Sequence, residues 1–257
     1  MRHQLRAVTG PIGVLCAIPQ EFAFLADNLD HAESSSAAGM SFHAGRLDGH
    51  KVVLAQAGMG KVNAAIAATL LIERFGCRLV LFSGIAGGLD PSLTIGDVVV
   101  ADHVVQHDAG YTTAEGFTVY QPGHLPFFSP HEELGHTADP AVMVRVRAVL
   151  SDLELSPLTA GDPARPPRLL FGRVLTGDQF VASEALRERL FRELGGLAVE
   201  MEGAAMAQAC AAFGVPWLVV RALSDLAGHE SHFDFRQFVD EVALSSALIV
   251  RRLLPVL

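Results

Sequence analysis

The sequence predicts an α/β fold, a three-layer αβα sandwich built on one central sheet. Short runs of β-branched residues alternate along the chain with Ala-rich stretches of helical length, the order typical of a sheet with helices on both faces. Near-continuous apolar runs such as residues 217–220 indicate strands that are buried on both faces. The 257 residues, half of them apolar, fit one large domain, and we expect a single domain over residues 1–257.

The individual elements follow from the same two patterns. Strands are expected where short apolar runs occur, at residues 12–18, 51–57, 78–83, 97–105, 169–176 and 216–223. Helices are expected at residues 20–29, 62–75, 140–150, 183–194, 202–213 and 235–254. The third helix has a clear start, because Asp139 is a good N-cap and Pro140 suits the first helical position.

Two segments are predicted to be loop excursions. Residues 110–137 are rich in Gly, Pro, His and aromatic residues and form a long connection for a compact domain. Long loops of this kind often act as lids or contact arms. Residues 156–168 carry four prolines and two arginines, which indicates a surface excursion before the next strand.

The charge balance favours small-molecule partners. The chain has 19 basic and 28 acidic residues, a formal net charge of −9, and its only lysines are Lys51 and Lys61. Nucleic acids and anionic membranes recruit basic surfaces, so we expect neither as a partner.

Cysteine usage and hydropathy indicate a cytoplasmic protein. Cys16, Cys77 and Cys210 each lie in an apolar run without CxxC spacing, the pattern of reduced core thiols. The first residues are polar, and no apolar run reaches the ~18 residues that a membrane span requires.

Four polar motifs follow predicted strands, where an open α/β sheet normally binds its ligand. They occupy residues 17–21, 83–89, 199–203 and 221–225. A single acid at a strand end is usually a helix cap or a surface residue. Four such motifs in one chain are a more specific sign of a ligand site.

These motifs, with residues 58–62 and 176–178, resemble those of the 5′-methylthioadenosine/S-adenosylhomocysteine nucleosidases of the purine nucleoside phosphorylase superfamily. The resemblance extends from Gly13 to about Leu254, and residues 120–126 look most like actinobacterial members. It implies a twisted mixed sheet of the nucleoside phosphorylase type. It also implies hydrolysis of the N-glycosidic bond of both nucleosides, with release of adenine and the thioribose product, in methionine salvage.

Cleavage of this bond leaves an oxocarbenium-like sugar and an adenine anion. The enzyme therefore needs a proton donor for the purine, an activated water and a grip on the sugar hydroxyls. Three acids at separate strand ends could supply these functions. The resemblance implies that Asp225 is the acid at purine N7, that Glu21 activates water and that Glu202 accepts from the 2′- and 3′-hydroxyls. It also implies that Arg221 orients the water or Glu202, although Arg221 could instead be a structural ion-pair partner.

Glu200 and Glu202 compete for the sugar role. On a strand both side chains would face the same way, whereas at a helix start they diverge by about 200°. The resemblance favours Glu202. Met201 would then pack under the ribose, with ordinary core filling as the alternative.

The resemblance also implies the walls of the substrate pocket. Phe180 would stack on the purine, unless it is a simple core residue, and the backbone of Val181 would read the purine edge. Met59 and Phe235 are expected around the 5′-thio substituent, where an adaptable apolar surface suits groups of different size.

The long loop is expected to reach a partner subunit. Tyr111, Leu125 and Pro126 resemble the arm that a second subunit lends to the pocket. An apolar, aromatic loop would be exposed in a monomer, and exposed patches of that kind mark contacts. We therefore expect a homodimer in which residues 110–126 cross into the partner.

The sequence favours water over phosphate as the nucleophile. A phosphate site needs arginines and a hydroxyl in the Gly-rich turn. The loop after the first strand ends in Glu21 and contains no Arg, and Ile85 stands where many relatives have Ser or Thr. An apolar side chain cannot hydrogen-bond phosphate, and Glu21 would repel it. The Ser common in bacterial nucleosidases is also absent, which affects ribose or water contacts at this position.

No cofactor or metal is expected. The turn at residues 84–89 lacks the spacing and the acidic partner of a dinucleotide site. His131 and His136 are five residues apart, so they would not share one helix face as a zinc motif requires. Two alternatives to adenosine-type hydrolysis remain: futalosine or aminofutalosine hydrolysis, and non-catalytic nucleoside binding. Intact Glu21, Glu202 and Asp225 argue against a pure binding protein.

Overall fold

The computed structural model describes residues 10–124, 133–159 and 165–257. Its strands are β1 Ile12–Cys16, β2 Asp30–Ala37, β3 Met40–Leu47, β4 His50–Gln56, β5 Leu79–Gly88, β6 Val98–Gln106, β7 Gly110–Thr113, β8 Gly116–Val119, β9 His136–Thr137, β10 Leu169–Thr176, β11 Ala198–Glu200 and β12 Trp217–Asp225. Its helices are α1 Pro19–Asp27, α2 Lys61–Glu73, α3 Pro140–Leu150, α4 Glu184–Leu194, α5 Gly203–Phe213 and α6 Ser231–Leu253, followed by a 3-10 turn at Leu254–Val256.

Ten strands form one mixed sheet, in the order β11-β10-β6-β12-β5-β1-β4-β3-β2 with β9 beside β6. Strand β1 is parallel to β4 and β5, whereas β12 runs antiparallel to β6. Strand β11 pairs with β10 and also with the end of β5, so that five strands close into a ring. This closure brings the ends of β5, β11 and β12 together.

Helices cover both faces of the sheet. On one face α2 packs against α5, and on the other α6 packs against β12, β5, α1 and α3. The apolar residues of the strands fill the space between these layers, with Val14, Leu81 and Val219 fully buried. The prediction of an α/β fold with a three-layer arrangement and a mixed sheet is confirmed.

The β2–β3 hairpin was not expected from the sequence. Residues of β2 are all exposed or half-buried, so the segment has no buried apolar face to mark it as a strand. The hairpin turns at Ala38 and Gly39, which both have positive φ values, of 51° and 76°. Two central residues with positive φ match the twist of the flanking strands.

Two strands are longer than the sequence predicts. A turn was expected after residue 83, but β5 continues to Gly88, and β12 extends beyond residue 223 to Asp225. The glycines of β5 allow close packing instead of a turn. A Cβ on Gly84 would lie 2.6 Å from Arg221 Nη1, and one on Gly87 would lie 2.9 Å from Asp225 Oδ1.

The predicted excursions and helix starts are adjusted in detail. The described part of residues 110–137 is not structureless, because β7 and β8 pair as an antiparallel hairpin and β9 joins the main sheet. The start of α3 is as predicted, since Asp139 Oδ1 accepts a hydrogen bond from the backbone N–H of Val142 at 2.9 Å. Helix α6 starts four residues before the expected residue 235. None of the helices in the described ranges has the length and hydropathy to cross a bilayer.

Candidate active site

A cavity of about 580 Å³, open to solvent, lies where the ends of β5, β11 and β12 meet. The β1–α1 junction, the β4–α2 turn, the segment after β10 and helix α6 complete its walls. Nine of the predicted site residues line it, namely Glu21, Met59, Ile85, Phe180, Val181, Met201, Glu202, Asp225 and Phe235. Residues from seven parts of the sequence are thus brought into one cavity.

Glu21 is buried at the start of α1. Its Oε2 accepts hydrogen bonds from the backbone N–H groups of Ala17 and Ile18, at 2.6 and 3.1 Å. Its Oε1 accepts from the backbone N–H of Ile85 at 3.1 Å. Burial raises the pKa of Glu21, although Arg221 and these N–H groups oppose the rise. The result is a fixed carboxyl group of increased basicity on the cavity wall.

Arg221 lies behind the cavity wall and is fully buried. Its guanidinium bonds Glu200, with a distance of 3.1 Å from Nε to Oε2 and a closer contact from Nη2. It also lies over the ring of Phe82, 4.3 Å from the ring centre. Its Nη1 has no hydrogen-bond partner among the described residues. A buried guanidinium N–H without a protein partner is costly, so Nη1 has hydrogen-bonding capacity that the described residues do not use.

Glu200 and Glu202 have different surroundings. The Glu200 carboxylate also accepts from the Thr176 hydroxyl and from the backbone N–H groups of Glu202 and Gly203. Its hydrogen-bonding capacity is therefore used within the protein. Glu202 Oε1 accepts only from the backbone N–H of Gly60, at 2.8 Å, among the described residues, and its Oε2 lies 3.7 Å from Arg221 Nη2.

The negative charge of an ionised Glu202 is only partly compensated by its surroundings. Burial and the nearby charge of Glu200 raise its pKa to about 8, while Arg221 and the Gly60 N–H oppose the rise. Glu202 is therefore the carboxyl of this pair with free capacity to exchange hydrogen bonds with a ligand.

Asp225 is buried at the end of β12. Its Oδ1 accepts from the backbone N–H of Ala227 at 2.8 Å, and its Oδ2 accepts from the hydroxyl of Ser224 at 2.9 Å. Burial raises its pKa against the effect of these hydrogen bonds. Asp225 does not cap α6, because Glu230 is the N-cap of that helix. The carboxyl group instead closes a tight turn with one edge towards the cavity.

Two aromatic rings, those of Phe180 and Phe235, line the same cavity as the carboxylates. Phe180 stacks on His232, with ring centres 4.6 Å apart and planes at 17°, and meets Phe235 edge-on at 6.0 Å. Phe180 is exposed rather than a core residue, whereas its neighbour Val181 is buried. This wall presents an open aromatic face of the kind that stacks on a flat heterocycle.

Tyr111, a described residue of the predicted site, does not line the cavity. Tyr111 is on β7 and packs edge-on against Tyr120, away from the lining of the cavity. Leu125 and Pro126 lie outside the described residues, as does His131 of the rejected zinc motif. Among the described residues, no group of three His, Cys, Asp or Glu is arranged to hold a metal ion.

Several lining residues were not selected from the sequence, including Gln179 and Ser224. Each is adjacent in the sequence to a predicted site residue, and this adjacency is the feature of the sequence that could have identified it. The clearer omission is the buried Glu200–Arg221 pair. The two residues were considered separately, and their spacing of 21 positions in the chain gives no local pattern.

Comparison with known proteins identifies relatives along nearly the whole chain. The sequence profile of the phosphorylase superfamily matches residues 11–255. The chain is 57% identical over 248 residues to the 5′-methylthioadenosine/S-adenosylhomocysteine nucleosidase of Mycobacterium bovis, covering 96% of this chain and 97% of that protein.

Solved structures give the same result. The nucleosidase of Streptococcus pneumoniae with a transition-state inhibitor has a TM-score of 0.80 and 33% identity, covering 95% of this chain and 98% of that chain. The nucleosidase of Colwellia psychrerythraea in complex with adenine has a TM-score of 0.81 and 34% identity, covering 97% and 96%.

Proposed function

The chain belongs to the phosphorylase superfamily and, within it, to the 5′-methylthioadenosine/S-adenosylhomocysteine nucleosidases, and we propose that it hydrolyses the ribose–adenine bond of both nucleosides. The products are adenine and the corresponding thioribose, as in methionine salvage. The observation that carries this proposal is the placement of Glu21, Glu202 and Asp225, three buried carboxyl groups, around one cavity.

Each carboxyl group is proposed to have a separate role. Asp225 donates a proton to purine N7, which its raised pKa supports, and the purine stacks on Phe180. Glu202 exchanges hydrogen bonds with the sugar hydroxyls. Glu21 accepts a proton from water on the other face of the sugar, and Arg221 Nη1 helps to hold that water. Both groups lie close to Gly84, since a Cβ there would be 2.7 Å from Glu21 Oε1 and 2.6 Å from Arg221 Nη1.

Water is the proposed nucleophile because the site does not suit phosphate. Among the described residues that line the cavity, none is Lys or Arg. The backbone N–H of Ile85 is already bound to Glu21, and the Ile85 side chain has no hydrogen-bonding group. A phosphate ion would therefore meet a carboxylate and an apolar side chain where it needs cationic donors.

The test is adenine release from 5′-methylthioadenosine in phosphate-free buffer, followed by the same assay with inorganic phosphate. We expect equal rates in both, and a free thioribose sugar as the second product. A reaction that requires phosphate and yields a sugar phosphate would overturn the proposal. Initial rates with S-adenosylhomocysteine, 5′-deoxyadenosine and aminofutalosine then rank the possible substrates.

We further propose a homodimer in which the β7–β8 hairpin and the start of α2 face the partner subunit. Val62 and Ile66, one helical turn apart on α2, are exposed, as is Phe117 on β8. Exposed apolar side chains often belong to an interface, and Val62 follows the cavity-lining Met59 by three residues. Val62→Asp should convert a dimer to a monomer in sedimentation, whereas Val144→Asp should not. Both valines are 69% exposed, and Val144 lies on α3. A monomeric wild-type protein would contradict this part.

We propose a cytoplasmic location because the cysteines are free thiols. Cys16, Cys77 and Cys210 are all buried as free thiols, which suits a reducing compartment.

A further inference from the structure

The turn between β4 and α2 is held against the sugar side of the cavity. Gly58 and Gly60 adopt φ values of 78° and 98°, which favour glycine. The backbone N–H of Gly60 donates to Glu202 Oε1, and Met59 between the two glycines lines the cavity. The position of this turn therefore determines the backbone hydrogen bond that orients the Glu202 carboxyl group.

Lys61, the next residue, joins this turn to two other loops. Its backbone N–H donates to Asp178 Oδ1 at 2.8 Å. Its Nζ lies 2.7 Å from Asp108 Oδ1 and 3.9 Å from Asp178 Oδ2. The backbone N–H of Asp178 donates to Asp108 Oδ2 at 2.8 Å. We refer to Lys61, Asp108 and Asp178 as the loop clamp.

The loop clamp connects the walls of the cavity. Asp108 follows β6 and precedes the β7–β8 hairpin, and Asp178 precedes Phe180 on the purine side. Asp178 also touches the turn directly, since a Cβ on Gly60 would lie 3.1 Å from its Oδ1. Burial raises the pKa of Asp108, but hydrogen bonds from Lys61 and Asp178 outweigh this and the pKa lies below its usual value. Asp108 is therefore ionised, as the clamp requires.

We propose that Lys61 is a positioning residue for substrate binding: its ammonium group holds Asp108 and Asp178 together, and thereby holds the Gly58–Gly60 turn against Glu202. Without this cation the two aspartates repel each other, and the Asp178 carboxylate moves away from the backbone N–H of Lys61, which now donates to it. The turn then shifts, and Glu202 loses the Gly60 hydrogen bond. On the purine side, Asp178 contacts Asp108 through its backbone N–H, and this hydrogen bond does not involve the ammonium group. Loss of the cation should therefore disturb the sugar side of the cavity more than the purine side.

The chain offers a matched control because it has only two lysines. Lys61→Met removes the charge and keeps the length of the side chain. Lys51→Met makes the same change at an exposed position of β4, which pairs with Arg46 of β3. Lys61→Arg retains a cation, and Asp108→Asn weakens the clamp from the other side while Lys61 remains.

The readout separates binding from turnover. The contact of Glu202 with the sugar is present in the ground state and in the transition state, so its loss raises KM more than it lowers kcat. For 5′-methylthioadenosine we expect Lys61→Met to raise KM about tenfold and to lower kcat less than about threefold. Inhibition by free adenine, which has no sugar, should change less than about twofold. Asp108→Asn should also raise KM more than it lowers kcat. Lys61→Arg should have a KM close to that of the wild type, and Lys51→Met should match the wild type.

A purely structural role would lower kcat with the fraction of folded enzyme at an unchanged KM, and that result would overturn the proposal. Equal KM values for Lys61→Met and Lys51→Met would also overturn it. The comparison of KM and kcat rests on the proposed function, because it requires that the protein hydrolyse 5′-methylthioadenosine. If the wild-type protein releases no adenine, the proposed function fails, whereas calorimetry of 5′-methylthioadenosine and adenine binding still tests the clamp. Loss of affinity for the nucleoside alone in Lys61→Met would support it.

Discussion

Arg221 donates from both Nε and Nη2 to the same carboxylate oxygen of Glu200, in a buried pair of which Glu200 lines the cavity. The other oxygen of Glu200 accepts from Thr176 and Gly203. Because Glu200 takes most of the donors of Arg221, the Glu202 carboxylate faces the cavity with one backbone N–H bound to it among the described residues. Both glutamates line the cavity, but protein donors occupy the carboxylate of Glu200, whereas that of Glu202 retains hydrogen-bonding capacity for a ligand.

The first prediction compares these two glutamates. Glu200→Gln should lower the free energy of unfolding by about 3–5 kcal/mol, because it leaves the buried charge of Arg221 without its counterion. Glu202→Gln should change it by less than about 1 kcal/mol, because a folded pKa of about 8 keeps most of the Glu202 carboxyl neutral at neutral pH, like the amide that replaces it. Urea denaturation of both variants at neutral pH measures the difference. Equal losses in the two variants would show that the division of roles is wrong.

The second prediction concerns the pH dependence of stability. The pKa of Glu202 is raised from its ordinary value near 4.5 to about 8 in the folded chain. The folded state therefore binds this proton more tightly than the unfolded state. The resulting stabilisation is complete below the ordinary pKa and is lost as the pH rises through the folded pKa. Between these values the free energy of unfolding should fall by up to about 1.4 kcal/mol for each pH unit.

Glu202→Gln is the control for this prediction, because it has no proton to lose. Its free energy of unfolding should fall less steeply than that of the wild type between about pH 5 and pH 8. Part of the slope should remain, because the pKa values of Glu21 and Asp225 are also raised. Parallel curves for the two proteins would contradict the raised pKa of Glu202.

Much of the site could be predicted because polar residues follow apolar strands at four places in the sequence. The strands themselves specify the sheet, and its geometry brings their ends together. Closure of the ring was not predictable, since β11 pairs with β5 across more than a hundred residues. The loop clamp was missed for the same reason, because Lys61 and Asp178 are 117 positions apart. The β2–β3 hairpin was missed because β2 has no buried face.

The third prediction concerns the aromatic wall. Phe180→Ala should weaken the binding of adenine about five- to tenfold, because it removes the ring proposed to stack on the purine. Stability should change by less than about 1 kcal/mol, because Phe180 is 42% exposed without a ligand. Phe233→Ala is the matched control, as Phe233 is 65% exposed and does not line the cavity. Calorimetry measures the affinity of both variants for adenine. Equal affinities would show that Phe180 does not contact the bound purine.

The last prediction concerns the proposed acid. Asp225→Asn should lose about 10²–10⁴ in turnover, because an amide has no acidic proton to give to purine N7. The fold should tolerate this change. The amide oxygen can still accept from the backbone N–H of Ala227, and the amide nitrogen can donate to the hydroxyl of Ser224, which now donates to Asp225. Melting temperature and the affinity for adenine should therefore remain near those of the wild type.

Ser224→Ala separates the acid role of Asp225 from its role in the turn. The Ser224 hydroxyl lowers the pKa of Asp225 by donating to its ionised form. Its removal should raise that pKa, so the protonated acid should persist to higher pH. The alkaline limb of the kcat profile should then move to higher pH, while the turn with Ala227 stays intact. If Asp225 only stabilises the turn, Asp225→Asn will retain normal turnover and Ser224→Ala will leave the pH profile unchanged.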